Sequence, residues 1–368
     1  NMMNKAINTL VLATVDSLTK FKNKLAYYLA IFAMVFGSTF GTFNAANAAA
    51  VTLNATTAAG PGTMKTAGGD VSMAVDGTDT LAIVTFATTL TLANTAANQS
   101  FGAITGTTGT LNITSVDTQD ASIQTFASFV GVDGDVAVIT AGDKNHTVIF
   151  TGDLSTGAAT GTIIIDADAG HDTDTLVQVG GDITGVVTID KNAGAVILEL
   201  TGAGSTINQS VDGVGDNEGT LKISGAGSTI TGKVGTTGTT SLAAIDVDAT
   251  ATFGNTSEAA AYTVDADTTF TGAVLANTGT TIGTSGTDVI YTAASNTGAT
   301  ALGASTTVTA SSTLTTAALT LAAGSTVTAN GIITTGDTTN TSGKTYLNVK
   351  DNVIDNIILV GTSELHIG

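Results

Sequence analysis

From residue 51 to residue 368, apolar residues come in short runs in which hydrophobic and polar positions alternate. GVVTID, from Gly185, and GAVILEL, from Gly194, are examples. Residues two positions apart lie on the same side of a strand, so this spacing is typical of β-structure. Gly or Asp residues bound the runs, which indicates tight turns. Because no segment after residue 50 keeps the apolar spacing of an amphipathic helix, the pattern predicts an all-β fold.

One motif occurs twice in close succession: LELTGAGSTINQSVDG begins at Leu198 and LKISGAGSTITGKVGT begins at Leu221. A single strand pair with one apolar face is unstable in water, whereas copies stacked on one another bury a continuous core. The repeat therefore predicts successive rungs of a solenoid. Aligning the two copies predicts three residue pairs that stack inside it: Leu198/Leu221, Leu200/Ile223 and Ile207/Ile230.

Weaker copies extend the repeat. GTLNIT, from Gly109, matches GTLKIS, from Gly219; IDVDATATF, from Ile245, is echoed by YTVDADTTF, from Tyr262; and LTLAAGSTVTANG is a later variant of the first motif. We predict a right-handed parallel β-helix, or β-solenoid, over residues 49–368, with rungs of about 20–25 residues. A row of β-sandwich domains, which also contains short alternating strands, is the alternative.

Residues 1–48 have the organisation of an export signal. Three Lys between residues 20 and 24 precede the apolar run LAYYLAIFAMVFG, and NAANAAA then supplies the small residues of a signal-peptidase site. We predict a signal peptide with an extended n-region at residues 1–48, cleaved near Ala48 or Ala50, and no transmembrane span in the mature part. A retained membrane helix is the alternative, because Leu25 to Phe43 is about long enough to span a bilayer.

Composition restricts the partners. The 368 residues include 44 Gly, no Cys, no Trp and no Arg, and the formal net charge is −19. Without residues 1–48 the chain keeps 7 Lys against 29 acidic residues, a net charge of −22. Nucleic acids and anionic lipids bind through clustered Lys and Arg, so we predict neither as a partner. The absence of Cys excludes disulfides and thiolate metal sites, and the acidic chain favours divalent cations.

Pairs of Asp separated by one residue are the densest chemical feature. DADAGHDTDT contains two such pairs, and others are Asp133/Asp135, Asp246/Asp248 and Asp265/Asp267. Residues i and i+2 of a strand place two carboxylates side by side, and such oxygen ligands suit Ca²⁺. A solvated acidic face explains the same pattern and is favoured, because the chain has no complete EF-hand loop. The candidate Ca²⁺ ligands are Asp166, Asp168, Asp172 and Asp174.

A further candidate ligand is Asp288. The segment GTSGTDVIY resembles the calcium-binding nonapeptide of RTX proteins at Gly283, Gly286, Asp288 and Ile290. Thr284 stands where that motif has Gly, and the chain has this one imperfect copy.

Few groups suit catalysis, and we predict no catalytic residue. His146, His171 and His366 lie far apart without H-x-x-x-H spacing, so we expect no zinc site and place all three at exposed turn or strand positions. Many β-helix proteins cleave polysaccharides, but lyases on that scaffold use an Arg base, which this chain lacks. The part after the signal also has only three Tyr and no Trp as platforms for sugars. A polysaccharide-degrading β-helix enzyme stays the least favoured alternative.

SFGAITGTTGTLNITSV, from Ser100, and DADTTFTGAVLANTGTTIG, from Asp265, resemble the passenger regions of large bacterial autotransporter surface antigens, including the outer-membrane antigens of rickettsiae. The likeness covers most of residues 51–368 and is one of repeat style and composition. It implies an exported β-helical passenger that is displayed on the cell, acts by adhesion or surface coating, and is tethered by a C-terminal barrel. No such barrel pattern follows Tyr346, so we expect that the chain is truncated or has no barrel.

The composition is also similar to that of surface-layer proteins, which are acidic, rich in Thr, Gly and Ala, without Cys, and often assemble through Ca²⁺. We expect an exported structural or adhesive protein of the cell surface, outer membrane or extracellular space. Its expected partners are a host surface, a neighbouring cell or further copies of itself. The alternative is a self-assembling surface layer that depends on Ca²⁺, and no cofactor besides Ca²⁺ is expected.

Overall fold

The computed structural model of the chain describes most residues beyond the predicted signal peptide. The described residues are 51–55, 63–65, 71–75, 80–86, 89–94, 98–106, 110–115, 122–131, 136–141, 145–157, 161–167, 174–191, 194–236, 238–360 and 364–367. The prediction of a signal peptide at residues 1–48 lies outside them.

Strands and turns make up the described residues, with no helix. In the first half of the chain the strands are β1 (Val51–Ala55), β2 (Thr63–Lys65), β3 (Val71–Val75), β4 (Thr80–Phe86), β5 (Thr89–Asn94), β6 (Asn98–Gly106), β7 (Thr110–Ser115), β8 (Ser122–Val130), β9 (Val136–Ala141), β10 (His146–Phe150), β11 (Leu154–Ser155), β12 (Thr162–Ala167), β13 (Thr175–Val179), β14 (Ile183–Thr184), β15 (Val186–Lys191) and β16 (Val196–Leu200).

The second half continues in the same way. Its strands are β17 (Thr206–Ile207), β18 (Val211–Gly213), β19 (Thr220–Ile223), β20 (Ser228–Ile230), β21 (Leu242–Val247), β22 (Ala251–Phe253), β23 (Ser257–Val264), β24 (Thr268–Phe270), β25 (Val274–Ile282), β26 (Asp288–Tyr291), β27 (Ser295–Asn296), β28 (Ala299–Leu302), β29 (Thr307–Ala310), β30 (Leu314–Thr316), β31 (Ala318–Leu321), β32 (Thr326–Asn340), β33 (Lys344–Leu359) and β34 (Glu364–Ile367).

The strands stack in three parallel columns, which we call sides 1, 2 and 3 in the order in which the chain visits them. Side 1 contains β1, β3, β5, β7, β9, β12, β15 and β18, then single bridges at Val234 and Ser257, and then β27 and β30. Side 2 contains β10, β13, β16, β19, β21, β28 and β31. Side 3 contains β11, β14, β17, β20, β22, β24, β26 and β29.

Long strands turn a corner and serve two or three sides. β8 contributes to sides 2 and 3, β23 and β25 to sides 1 and 2, and β32 to all three. The strands make about 10 turns between residues 101 and 348, which confirms the predicted parallel β-solenoid. Parallel pairing also excludes the β-sandwich alternative there, because sandwich sheets are antiparallel.

The repeated motif packs as predicted. Its two copies pair in register on sides 2 and 3, and every predicted inward residue is fully buried. Buried and half-buried side chains alternate along strands such as β13 and β16, as expected when one face of a strand meets the core. The predicted pairs are therefore confirmed: Leu198/Leu221, Leu200/Ile223 and Ile207/Ile230.

Aromatic residues stack along the solenoid axis because equivalent inward positions lie directly above one another. The rings of Phe253 and Phe270 are 4.8 Å apart, and those of Phe270 and Tyr291 are 5.4 Å apart. The echo between IDVDATATF and YTVDADTTF is thus a true rung repeat, in which Ile245 pairs with Tyr262. Burial raises the pKa of the Tyr262 hydroxyl far above its usual value, and this Tyr is part of the core rather than a sugar platform.

Rung length changes abruptly in the middle of the chain. Along side 2, Leu221 pairs with Ile245 and Ile245 pairs with Tyr262, so the second of these rungs is the shorter. The longer rungs contain loops between sides 1 and 2, at residues 214–219 in one rung and at residues 235–236 and 238–241 in the next, whereas β23 and β25 pass that corner as continuous strands. The rungs that contain β23 and β25 lack these loops. We call this change in rung length, which lies next to side 1, the step.

Two sequence expectations are wrong. Residues 110–114 of GTLNIT lie in β7 on side 1, whereas residues 220–223 of GTLKIS lie in β19 on side 2, because the same Leu-x-Ile pattern suits either side. His146 was expected to be exposed but is 1% exposed. It shares the inward face of β10 with Val148 and Phe150, and its Nε2 lies 2.7 Å from Oε1 of the buried Gln124.

Candidate functional site

Two of the four predicted Ca²⁺ ligands in DADAGHDTDT are described, and they lie in different settings. Asp166 is half-buried on side 1, where it pairs with Thr140 and Asp190 of the neighbouring strands. Asp174 is exposed, and its Oδ1 accepts a hydrogen bond of 2.8 Å from the backbone N–H of Ala195 in the next rung. Asp168 and Asp172 lie outside the described residues. The predicted calcium site therefore stays a prediction.

Other aspartates also connect adjacent rungs at the corners. Asp153 Oδ1 accepts the N–H of Asp182 at 2.9 Å, and Asp182 Oδ1 accepts the N–H of Thr206 at 2.7 Å. Asp267 continues the pattern, since its Oδ1 accepts the backbone N–H of the RTX-like Asp288 at 2.9 Å. Within the described part of the chain, no group of three or more His, Asp or Glu side chains is placed to hold a metal ion. These carboxylates satisfy backbone donors between rungs.

The Asp246/Asp248 pair lies on one side of its strand, as the spacing predicts, but its partner is a lysine. Lys222 Nζ lies 3.2 Å from Asp246 Oδ2 and 2.5 Å from Asp248 Oδ2. The hydrogen bond to Asp248, together with that to Asp246, holds the pKa of Lys222 well above its usual range against the opposing effect of burial. This cluster stabilises the outer face of side 2.

Asp190 is a carboxyl group that the fold disfavours in its charged form. Burial, and next the negative charge of Glu218, raise the pKa of Asp190 above its usual value. A raised folded-state pKa means that the folded protein holds the proton more tightly than the unfolded chain. The ionised group therefore opposes folding at neutral pH, and this penalty disappears as the pH falls through the folded-state pKa.

We expect Asp190→Asn to raise the midpoint of thermal unfolding at pH 7, because Asn removes the disfavoured charge. The gain is expected to shrink as the pH falls to about 4, where the wild-type carboxyl is itself becoming protonated. Thermal unfolding followed by circular dichroism at pH 4 and pH 7 measures both effects. Asp288→Asn, at an exposed position, removes the same charge as a control. Equal gains in the two variants would assign the effect to net charge alone.

A row of threonines runs along the outer surface of side 3. Its members pair in register from rung to rung, with Ile290 as the one interruption between Thr269 and Thr309. Each hydroxyl-bearing side chain is half-buried, so the row is an ordered surface of donors and acceptors. Rungs are ~4.8 Å apart, so the row is on the order of 29 Å long. This threonine row consists of Thr206, Thr229, Thr252, Thr269, Thr309 and Thr328.

A groove of about 450 Å³ lies on side 1, below the step in rung length. Lys233 and Gly235, where the second of the two corner loops begins, border one end, and Thr313 and Thr315 border the other. Two rows of outward positions form its floor, on either side of the inward row that runs from Val234 through Ser257 to Val274. One of these rows contains two small residues, Ala273 and Ala294.

Glu258 is the most unusual side chain in the groove. It is 5% exposed although it points out of the core, and Asn277 Nδ2 donates to its Oε1 at the long distance of 3.5 Å. Lys233 Nζ donates to Thr236 Oγ1 at 3.1 Å, and Asn296 Oδ1 accepts the N–H of Gly298 at 3.2 Å. One acidic, one basic and one amide side chain therefore line a single groove.

Sequence reasoning missed the groove, although one signal for it was present. The two similar motifs that begin at Ile245 and Tyr262 follow each other at a shorter interval than the two copies at Leu198 and Leu221. A shortened rung beside a longer one leaves a step. The polar residues of the groove are isolated in the sequence, and their proximity depends on pairing between rungs.

Comparison with protein-family models, with curated proteins and with solved structures found no match to this chain. Among the residues that the structure describes, no helix has both the length and the apolar character needed to cross a membrane.

Proposed function

We propose that this chain is an exported structural and adhesive protein of the bacterial cell surface, displayed as a β-helical passenger. The threonine row on side 3 is the observation that carries the proposal. A rigid scaffold that repeats one hydrogen-bonding group at a constant interval contacts another surface at many points at once. Weak individual contacts then combine into strong attachment, because each further contact is effectively intramolecular.

Two sequence features support the location. The Lys residues, apolar run and small residues at the N-terminus are typical of export signals. The mature chain is strongly acidic and has no Cys, which suits a protein that folds without disulfides outside the cytoplasm and repels nucleic acid. The resemblance to autotransporter passengers supports the same assignment.

The first test asks whether the protein is displayed on the surface of the cell. The full chain is expressed in its own bacterium, or in a Gram-negative host if the complete gene encodes a membrane anchor, and intact cells are treated with protease. We expect cleavage of the protein on intact cells and stronger attachment of these cells to a cultured cell layer than of cells without the gene. A protein that stays protected in the cytoplasm or periplasm would contradict the proposal.

The second test concerns the threonine row. Replacing Thr229, Thr252 and Thr269 together by Val keeps side-chain shape and removes three hydroxyls, so we expect normal display but at least severalfold weaker attachment. The matched control replaces three outward threonines of side 2 by Val: Thr263, Thr281 and Thr320. Equal attachment by both variants would remove the row from the proposal. Ordered sheets of purified protein on addition of Ca²⁺, without attachment, would support a surface layer instead.

A further inference from the structure

The groove below the step in rung length has the form of a binding site for an extended molecule. Its lining comes from five successive rungs, from Lys233 to Thr315. With rungs ~4.8 Å apart, it extends on the order of 19 Å along the axis. A ligand in this groove lies across the strands and meets a new rung at each interval. The shape therefore suits a linear oligomer.

Glu258 provides the chemical reason for a ligand. A carboxylate has about four acceptor positions, and the long contact from Asn277 satisfies one of them weakly. Because buried polar groups are normally hydrogen-bonded, a nearly buried carboxylate with one long hydrogen bond is suited to accept hydrogen bonds from bound hydroxyl groups. Among the described residues, no cation forms an ion pair with Glu258 within 4.0 Å.

The other polar groups of the groove complement Glu258. The Lys233 ammonium has three donors, and one of them is directed to Thr236. The amide nitrogen of Asn296 and the hydroxyls of Thr313 and Thr315 add neutral groups. Leu275 lies in register between Glu258 and Asn296, so an apolar contact separates the polar positions. Such alternation matches a sugar ring, which carries hydroxyls at its edge and C–H groups on its faces.

We propose that this groove binds a neutral oligosaccharide. One Lys and one Glu give the groove no net charge, while the chain as a whole carries −19, so an anionic sugar is repelled at long range. An extended peptide fits less well, because peptides that bind along a sheet need an exposed edge. The floor offers no exposed edge at Ser257, because this residue is already bridged to Val234 on one side and paired with Val274 on the other.

The assigned activity is binding without hydrolysis. Glycoside hydrolysis ordinarily needs two carboxyl groups flanking the scissile bond, and of the described residues that line the groove only Glu258 is acidic. The inference names a ligand class for the adhesive function proposed above and rests on it. The two fail separately, because binding is measured on purified protein and display is measured on cells.

The experiment is isothermal titration calorimetry of the purified full chain with cellohexaose, maltohexaose and N-acetylchitohexaose as neutral probes, and hexagalacturonate as the anionic probe. We expect saturable binding of at least one neutral hexasaccharide and at least tenfold weaker binding of hexagalacturonate. Glu258→Gln and Lys233→Ala each remove a charged hydrogen-bonding group and are expected to weaken the neutral complex about tenfold.

Matched controls come from one exposed ion pair remote from the groove. Glu364→Gln and Lys344→Ala repeat the same chemical changes at side chains that are 56% and 61% exposed, and both are expected to bind like wild type. Circular dichroism melts check that all four variants fold. Absence of binding by any neutral probe, tighter binding of hexagalacturonate, or undiminished binding by both folded groove variants would each overturn the inference.

Discussion

Ile223→Asp is expected to destabilise the solenoid by about 3–5 kcal/mol, which is the range for a buried charge without a partner. Ile223 is fully buried on side 2, where it pairs with Leu200 of the rung before and Val247 of the rung after. The new carboxylate would therefore lie between two aliphatic layers. Denaturant unfolding followed by circular dichroism measures the loss.

Two further variants separate the effect of charge from other causes. Thr220→Asp introduces the same side chain on the same strand but on its outward, half-buried face, and we expect a change below about 1 kcal/mol. Ile223→Val keeps the position apolar and should cost about 0.5–1.5 kcal/mol. If Ile223→Asp unfolds at the same denaturant concentration as the wild type, the assignment of this residue to the core is wrong.

Gly225→Ala is expected to cost about 3 kcal/mol, at the upper end of the range for overpacking. Gly225 opens the second GAGSTI copy, and a Cβ there would lie 2.0 Å from the carbonyl oxygen of Gly202 in the preceding rung. Gly202 itself approaches the carbonyl oxygen of Gly180 in the same way. Because the obstacle is backbone, no side-chain movement relieves it and the rungs must separate at this corner.

The second glycine of the motif provides a contrast within the same turn. Gly227 has a φ of +76°, and a Cβ added at this position would come no closer than 4.0 Å to its nearest neighbour, the backbone nitrogen of Gly204. Gly227→Ala therefore meets backbone strain without a steric clash and should cost about 1–2 kcal/mol. Thermal and denaturant unfolding of both variants tests the order. A smaller loss for Gly225→Ala than for Gly227→Ala would show that close approach between rungs does not set the identity of the first glycine.

The two glycines explain why the motif is so well repeated. Both equivalent pairs perform the same tasks, since Gly202 and Gly225 allow close stacking while Gly204 and Gly227 adopt positive φ. The Ser that follows is also structural, because Ser228 Oγ donates to the carbonyl oxygen of Gly225 at 2.6 Å. Local geometry at one corner thus requires the same residues in consecutive rungs.

Parts of the candidate site followed from sequence and parts did not. The side-by-side carboxylates of Asp246 and Asp248 were predicted from their spacing, but their partner Lys222 is in the preceding rung and was not. The burial of His146 could have been read from its alternation with apolar residues along β10. The groove around Glu258 could not, because its lining comes from five rungs.

The sequence by itself determined the all-β character, the inward face of the strands and the pairing of the GAGSTI rungs. Alternation along a strand and a long repeat both act over short chain distances, so they are visible in the order of residues. Tertiary structure alone decided which side each strand joins, how the aspartates are used and where the groove forms. Those features depend on how loop lengths add up around each rung, because that sum determines which residues of successive rungs meet.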